Sequence, residues 1–236
     1  TFSGTAAAAR TDAGTTNMNL ASGQFANTNG NFKSVTFNVT DGYQTITPID
    51  AVVTISGANN TADYDGEEHS VSGYTATADT ILYDVTKDFT FNGTAAAART
   101  DAGTTNMNLT AEQFVNTNPN FATVTFNVTD GYQTINPIDV TVTITEHSDE
   151  VAYDGEAHEV SGYDVEISNP LYTEADFSFS GTDSVSGTNV ASYAMELQAA
   201  DFTNTNDNFE NVTFVIVDGS LEIKPIDVTV AITGHN

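Results

Sequence analysis

The chain has 236 residues, and 5 Lys and Arg against 32 Asp and Glu give a formal charge of −27. That charge argues against nucleic acid and anionic lipid as partners, because like charges repel. With no Cys, a disulfide framework, a thiolate zinc site and a cysteine nucleophile are excluded. No stretch approaches the roughly 18 apolar residues of a membrane span.

Thr, Asn, Val, Asp and Gly dominate and Leu is scarce, a bias toward strands. In chain order, Thr110-Ala-Glu-Gln113-Phe114 predicts one turn of helix opened by a capping box. Val124-Thr-Phe126-Asn-Val128 alternates apolar and polar residues, the period of a half-buried strand. Asp130-Gly131 predicts a hairpin turn into a strand Tyr132–Ile135. Val140–Ile144 alternates in the same way. Tyr153-Asp-Gly-Glu156 reads as a tight turn between strands Glu150–Tyr153 and His158–Tyr163. Phe177–Phe179 and Tyr193–Leu197 supply two more strands.

These elements recur. Phe2-Ser3-Gly4-Thr5-Ala6 returns as Phe91-Asn92-Gly93-Thr94-Ala95 after 89 residues, and again at Phe179-Ser180-Gly181-Thr182. Residues 2–46 and 91–135 differ at only eight positions, so internal repetition is beyond doubt. With each repeat opening at Pro-Ile-Asp, the chain divides into 1–47, the C-terminal part of a repeat; 48–136 and 137–224, two complete repeats; and 225–236, the first strand of the next. Partial repeats at both ends are expected of a cut array or of a subunit completed by strand exchange. Leu221-Glu-Ile223-Lys-Pro225-Ile-Asp227 passes between repeats with no Gly or Ser linker, and Pro stiffens such a passage. The expected fold is all-β: tandem immunoglobulin-like β-sandwich repeats of about 89 residues forming a stiff rod, with β-grasp-like repeats as the alternative.

The order Tyr153-Asp-Gly-Glu-Ala-His158, Val160-Ser-Gly-Tyr163, Leu171-Tyr172, Asp176–Gly181 and Asp218–Pro225 resembles the tyrosine-aspartate-glycine (MBG-like) repeats of bacterial surface adhesins. The resemblance spans the whole chain. It implies a secreted, wall-attached protein in which such repeats form the stalk, and it brings no catalytic residues. Thr16 and Thr105 stand where the third repeat has Tyr193, and Gln44 and Gln133 where it has Leu221, so those cores are expected to pack differently.

No nucleophile elbow, phosphate-binding glycine loop or zinc-protease helix occurs, and the chain reads as non-enzymatic with no cofactor. Asp65, Glu67, Asp154 and Glu156 are candidate oxygen ligands of a calcium turn. Ala152 in place of Asp63, and the sufficiency of turn chemistry for Asp-Gly, weigh against that role. His69 and His158 share one repeat position beside these turns. Arg99 and Asp101, like Arg10 and Asp12, suggest a local ion pair that Gly187 and Asn189 replace. An ester between Gln133 and Thr141 or Thr143 is the weaker alternative to a surface role for Gln133.

The function expected is a structural stalk that projects a binding region from the cell wall. Two alternatives are a multivalent weak binder of host glycan or protein, and a self-assembling extracellular fibre completed by strand donation. The expected partners are neighbouring repeats of the same array, with no direct membrane insertion, at an extracellular, wall-attached location or in a surface filament.

Overall fold

The structure, a computed structural model, describes residues 1–235. It forms two compact units, described separately below. Unit 1 comprises Thr1–Asn59, Val71–Ala97 and Asn106–Tyr132; unit 2 comprises Asn60–Ser70, Ala98–Thr105 and the described residues from Gln133 onward. Unit 1 therefore contains the passage between repeats at Pro48, and unit 2 those at Pro137 and Pro225.

The chain is all-β. The partial first repeat holds β1 (Gly14–Asn17) and β2 (Tyr43–Ile46). The second holds β3 (Ile49–Gly57), β4 (Asn59–Asp63), β5 (His69–Ser72), β6 (Tyr74–Ala78), β7 (Phe89–Phe91), β8 (Ala96–Arg99), β9 (Gly103–Asn106), β10 (Phe114–Asn116), β11 (Phe121–Thr129) and β12 (Tyr132–Asn136). The third holds β13 (Ile138–Glu146), β14 (Asp149–Ala152), β15 (His158–Ser161), β16 (Tyr163–Ile167), β17 (Phe177–Phe179), β18 (Ser184–Gly187), β19 (Ala191–Ala194), β20 (Phe202–Asn204), β21 (Phe209–Val217) and β22 (Ser220–Lys224). Several small sheets without a barrel give the layered arrangement of β-sandwich repeats. The only helices among the described residues are single 3-10 turns, so nothing supplies the crossing helix of a β-grasp repeat. Ala111–Gln113 is one of these turns, and the Thr110 N–H donates to Gln113 Oε1 at 2.9 Å, as the capping pattern suggests.

The central strand of each complete repeat is its first. β13 runs parallel to β21 and antiparallel to β16, while β3 pairs in the same way with β11 and β6. Strand alternation explains why they sit there: Val140, Val142 and Ile144 bury every second side chain, as do Ala51, Val53 and Ile55. Against them lies an aromatic stack. Phe114 meets Phe91 at 4.8 Å and Phe126 at 5.7 Å between centroids, and Phe202 meets Phe179 at 4.9 Å and Phe214 at 5.4 Å.

Three sequence expectations change. Tyr193–Leu197 is strand only as far as Ala194, where β19 ends, and Glu196 takes a φ of +65°. Asp130-Gly131 turns the chain but makes no hairpin, because β11 is claimed by β3 whereas β12 pairs with β4 and β9. The segment 225–236 forms no strand over 225–235, and residues 34–40 form none either. A strand needs a ladder partner, and among the described residues neither segment has one. Asn236 lies outside the described residues.

Candidate functional site

The Tyr-Asp-Gly turns are built by their own side chains. Asp65 Oδ1 accepts the Glu67 N–H at 2.9 Å, and His69 Nε2 lies 3.1 Å from both Asp65 oxygens. Asp154 repeats this with Glu156 at 2.9 Å and His158 at 3.0 Å. Gly66 and Gly155 take φ of +82° and +84°, which L side chains rarely adopt. The backbone hydrogen bond from Glu67, then the His69 contact, hold the Asp65 carboxyl below its ordinary range; Glu156 and His158 do the same for Asp154. Asp65 and Asp154 thus bond within their own turns, Glu67 and Glu156 enter them through their backbone N–H groups, and among the described residues no three His, Cys, Asp or Glu converge to hold a metal ion.

What the turn presents is its tyrosine. Within unit 2, the Tyr64 ring packs edge-on against Phe209 of the following repeat, with centroids 5.8 Å apart and planes at 76°. The turn is so close to that repeat that a Cβ on Gly66 would lie 3.1 Å from Leu171 Cδ2. Phe209 is itself fixed by Tyr172, edge-on at 4.8 Å. In unit 1 the corresponding place, bounded by Ile46, Ile49, Leu82 and Phe121, is a cavity of about 320 Å³.

Beside this contact lies an asparagine clamp that both units share. In unit 2, Asn208 Oδ1 accepts the Ala102 N–H at 2.6 Å while its Nδ2 donates to Asp101 Oδ1 at 3.1 Å. In unit 1, Asn120 holds Ala13 and Asp12 at 2.6 and 3.0 Å. One side chain thus satisfies a donor and an acceptor on the loop of the preceding repeat. Immediately after the clamp residue the parallel ladder begins, with Ile138 N–H donating to Asn208 O at 3.0 Å and Ile49 N–H to Asn120 O at 3.1 Å.

The arginine shapes that loop, and the expected Arg99–Asp101 ion pair does not form. Arg99 Nε donates to the Asp101 carbonyl at 2.7 Å and Nη2 to the Ala102 carbonyl at 2.5 Å. The fork of guanidinium donors fits two successive carbonyls, which leaves the Asp101 carboxylate free for Asn208. Arg10 does the same for Asp12 and Ala13, at 2.6 and 2.5 Å. In the third repeat Tyr193 takes over, its hydroxyl donating to the Asn189 carbonyl at 3.1 Å. Its ring lies over Gly187, where a Cβ would come within 2.2 Å. The paired changes Arg to Gly and Thr to Tyr thus preserve one capped carbonyl.

Other polar side chains brace the cores. Gln133 is fully buried rather than on the outer face. Its oxygen accepts from Asn60 Nδ2 and its Nε2 donates to the Thr134 carbonyl, both at 3.0 Å, so the carboxamide is committed to these partners. Glu146, which nothing in the sequence singled out, is buried, and its two oxygens accept the Leu197 and Gly219 N–H groups at 2.7 Å each. Tyr172 places its hydroxyl 3.0 Å from both the Asp176 carbonyl and Asn204 Oδ1. Burial, aided by the Asp176 charge, pushes its phenol up to about 12, and Tyr83 is shifted likewise by burial and Asp88. His147 is pushed upward because its Nδ1–H donates to the Ser161 carbonyl at 2.9 Å and Nε2 faces Asp164 at 3.4 Å.

The site is therefore a joint that couples repeats, with turn, clamp and loop as its parts. Comparison with curated proteins and with solved structures finds no match. Residues 140–231, which include Tyr153, Tyr172, Asn208 and most of the third repeat, match the family model of the MBG domain.

Proposed function

We propose that this chain is stalk from a bacterial cell-surface adhesin, a non-catalytic spacer that holds a binding region away from the cell wall. One observation carries the reading: the clamp of Asn120 on Asp12 and Ala13 is rebuilt by Asn208 on Asp101 and Ala102, so repeated sequence builds a repeated joint. A joint of paired hydrogen bonds and an opening proline has few soft torsions, which suits a spacer. The match of residues 140–231 to the MBG domain supports a repeat of an adhesin-like surface protein. The charge of −27 suits an exposed extracellular surface that must stay soluble.

Small-angle scattering over a range of ionic strength tests the proposal. A spacer keeps one maximum dimension from low to high salt. Flexibly joined, like-charged domains contract as salt screens their repulsion, and that result overturns the reading. A glycan or mucin binding signal that grows with repeat number would instead assign the array to multivalent recognition.

A further inference from the structure

The third repeat departs from the second along one strand, and the changes point the same way. β21 lies at the edge of its sheet and pairs with β13 alone. Among the described residues no hydrogen bond outside that ladder uses its backbone between Val212 and Val217. β11 holds the same edge position although a complete repeat follows it in the chain, so the open edge belongs to the repeat itself. Sheet edges commonly carry polar or charged side chains, which discourage further strands. β11 follows that rule, with Asn127 and Thr129 exposed on its outer face. β21 has Val215 and Val217 at those places, 41 and 45 % exposed, and no charge from Asn211 to Val217.

Negative charge is added at both ends of this run. At the start, Glu210 replaces Ala122 and is exposed. At the other end, Asp130 of the second repeat commits its carboxylate to the Asn108, Leu109 and Gly131 N–H groups, at 3.0, 2.9 and 2.9 Å. In the third repeat Glu146 reaches over from β13 and holds the corresponding Leu197 and Gly219 N–H groups instead. Asp218, the counterpart of Asp130, is thereby released and stands exposed. It lines a cavity of about 470 Å³ together with Glu196, which replaces Asn108. The occupant that fits this edge is a strand with an uncharged, β-branched centre and basic ends. A second copy of the chain does not fit, because residues 137–224 hold 18 Asp and Glu against one Lys, and like charges would meet.

We infer that β21 is a docking edge, which takes an extended cationic segment of another protein as an added strand. Val215 and Val217 meet the apolar side chains of that segment, while Glu210, Glu196 and Asp218 meet its Lys or Arg residues. Backbone pairing supplies the attraction, and the valines and carboxylates supply the selection. This recognition goes beyond the spacer reading and does not rest on it.

Fluorescence anisotropy of a labelled probe peptide, Lys-Lys-Val-Thr-Val-Thr-Val-Lys-Lys, with the 236-residue polypeptide tests this. The probe should bind, and a version with proline at its central valine should not, because proline breaks the ladder. Val215→Asn with Val217→Thr, the residues that β11 carries, should weaken binding by about tenfold through lost apolar contact. Glu196→Gln with Asp218→Asn should also weaken it and should flatten its salt dependence. Both double variants change exposed side chains, so their thermal melts should stay close to the parent. Equal binding of the proline probe, or of the valine variant, would mean that charge alone attracts the peptide, and overturns the inference. So does a probe that fails to bind. Self-association in sedimentation that the valine variant abolishes would assign the edge to a second copy and overturns it as well.

Discussion

The ring of Tyr64 meets the ring of Phe209 edge-on at 5.8 Å, although 145 residues separate them in sequence. The Tyr-Asp-Gly turn thereby links two repeats. Its glycine and the Asp65 carboxylate fold the turn, and its tyrosine reaches the next repeat. A double-mutant cycle of Tyr64→Ala with Phe209→Leu, read by denaturant unfolding, should show a coupling of about 1 kcal/mol, the range for aromatic pairs. Additive losses would mean that the rings touch without cooperating.

Asn208→Ala removes the acceptor for the Ala102 N–H and the donor for Asp101. Leaving a partly buried donor unpaired should cost about 1–3 kcal/mol. Hydrogen exchange at the Ala102 amide checks the mechanism, because that amide should lose protection by more than its neighbours in the loop do.

Gly187 lies beneath the Tyr193 ring, so Gly187→Ala should destabilise the third repeat by about 1–3 kcal/mol through overpacking. The arrangement of the second repeat shows the cure. Gly187→Arg with Tyr193→Thr should recover most of the stability that Gly187→Arg alone loses, because the guanidinium then caps the Asn189 carbonyl. Thermal melts of the single and double variants decide it.

Tyr172→Phe should cost about 1 kcal/mol, the net value of a typical buried hydrogen bond. The raised phenol also carries a pH signature. Its folded value lies above the unfolded value of about 10, so its contribution is fully present below that pH and is lost as pH rises toward about 12. Spectrophotometric titration should show tyrosinate forming late at Tyr172 and Tyr83, and the Tyr172→Phe protein should lose part of that late phase.

His147 is raised by the Ser161 carbonyl and then by Asp164. A raised folded-state value means its contribution is fully present below about 6.5, the ordinary value, and is lost as pH rises through the shifted one. NMR titration should place the His147 midpoint above about 6.5. Asp164→Asn should lower the midpoint without returning it fully, because the Ser161 carbonyl remains.

Local pattern made much of the fold legible. Alternation located Val124–Val128 and Val140–Ile144 inside β11 and β13, and the repeat spacing alone identified equivalent positions. Pairing was not legible. Asp130-Gly131 reads as a hairpin because hairpins are local, yet β11 is claimed by β3 from the far end of the repeat. The joint was hidden for a similar reason. Arg99 and Asp101 are two residues apart and of opposite charge, which suggests a pair, but the guanidinium prefers two carbonyls and the carboxylate turns to Asn208, 107 residues away. Glu146 offered no signal at all, since its partners are backbone N–H groups that any sequence supplies.

The parallel pairing of β13 with β21 has a consequence for load. A pull along the chain enters the third repeat at Pro137, just before β13, and leaves after Lys224, at the end of β22. β13 pairs in parallel with β21, and β14 in parallel with β22, so tension at the two ends slides each pair lengthwise instead of peeling it open. Sliding strains the hydrogen bonds of a ladder together, whereas peeling breaks them one after another. The repeat is therefore connected so that the strands that begin and end it resist extension in shear, the direction in which a β ladder is hardest to break.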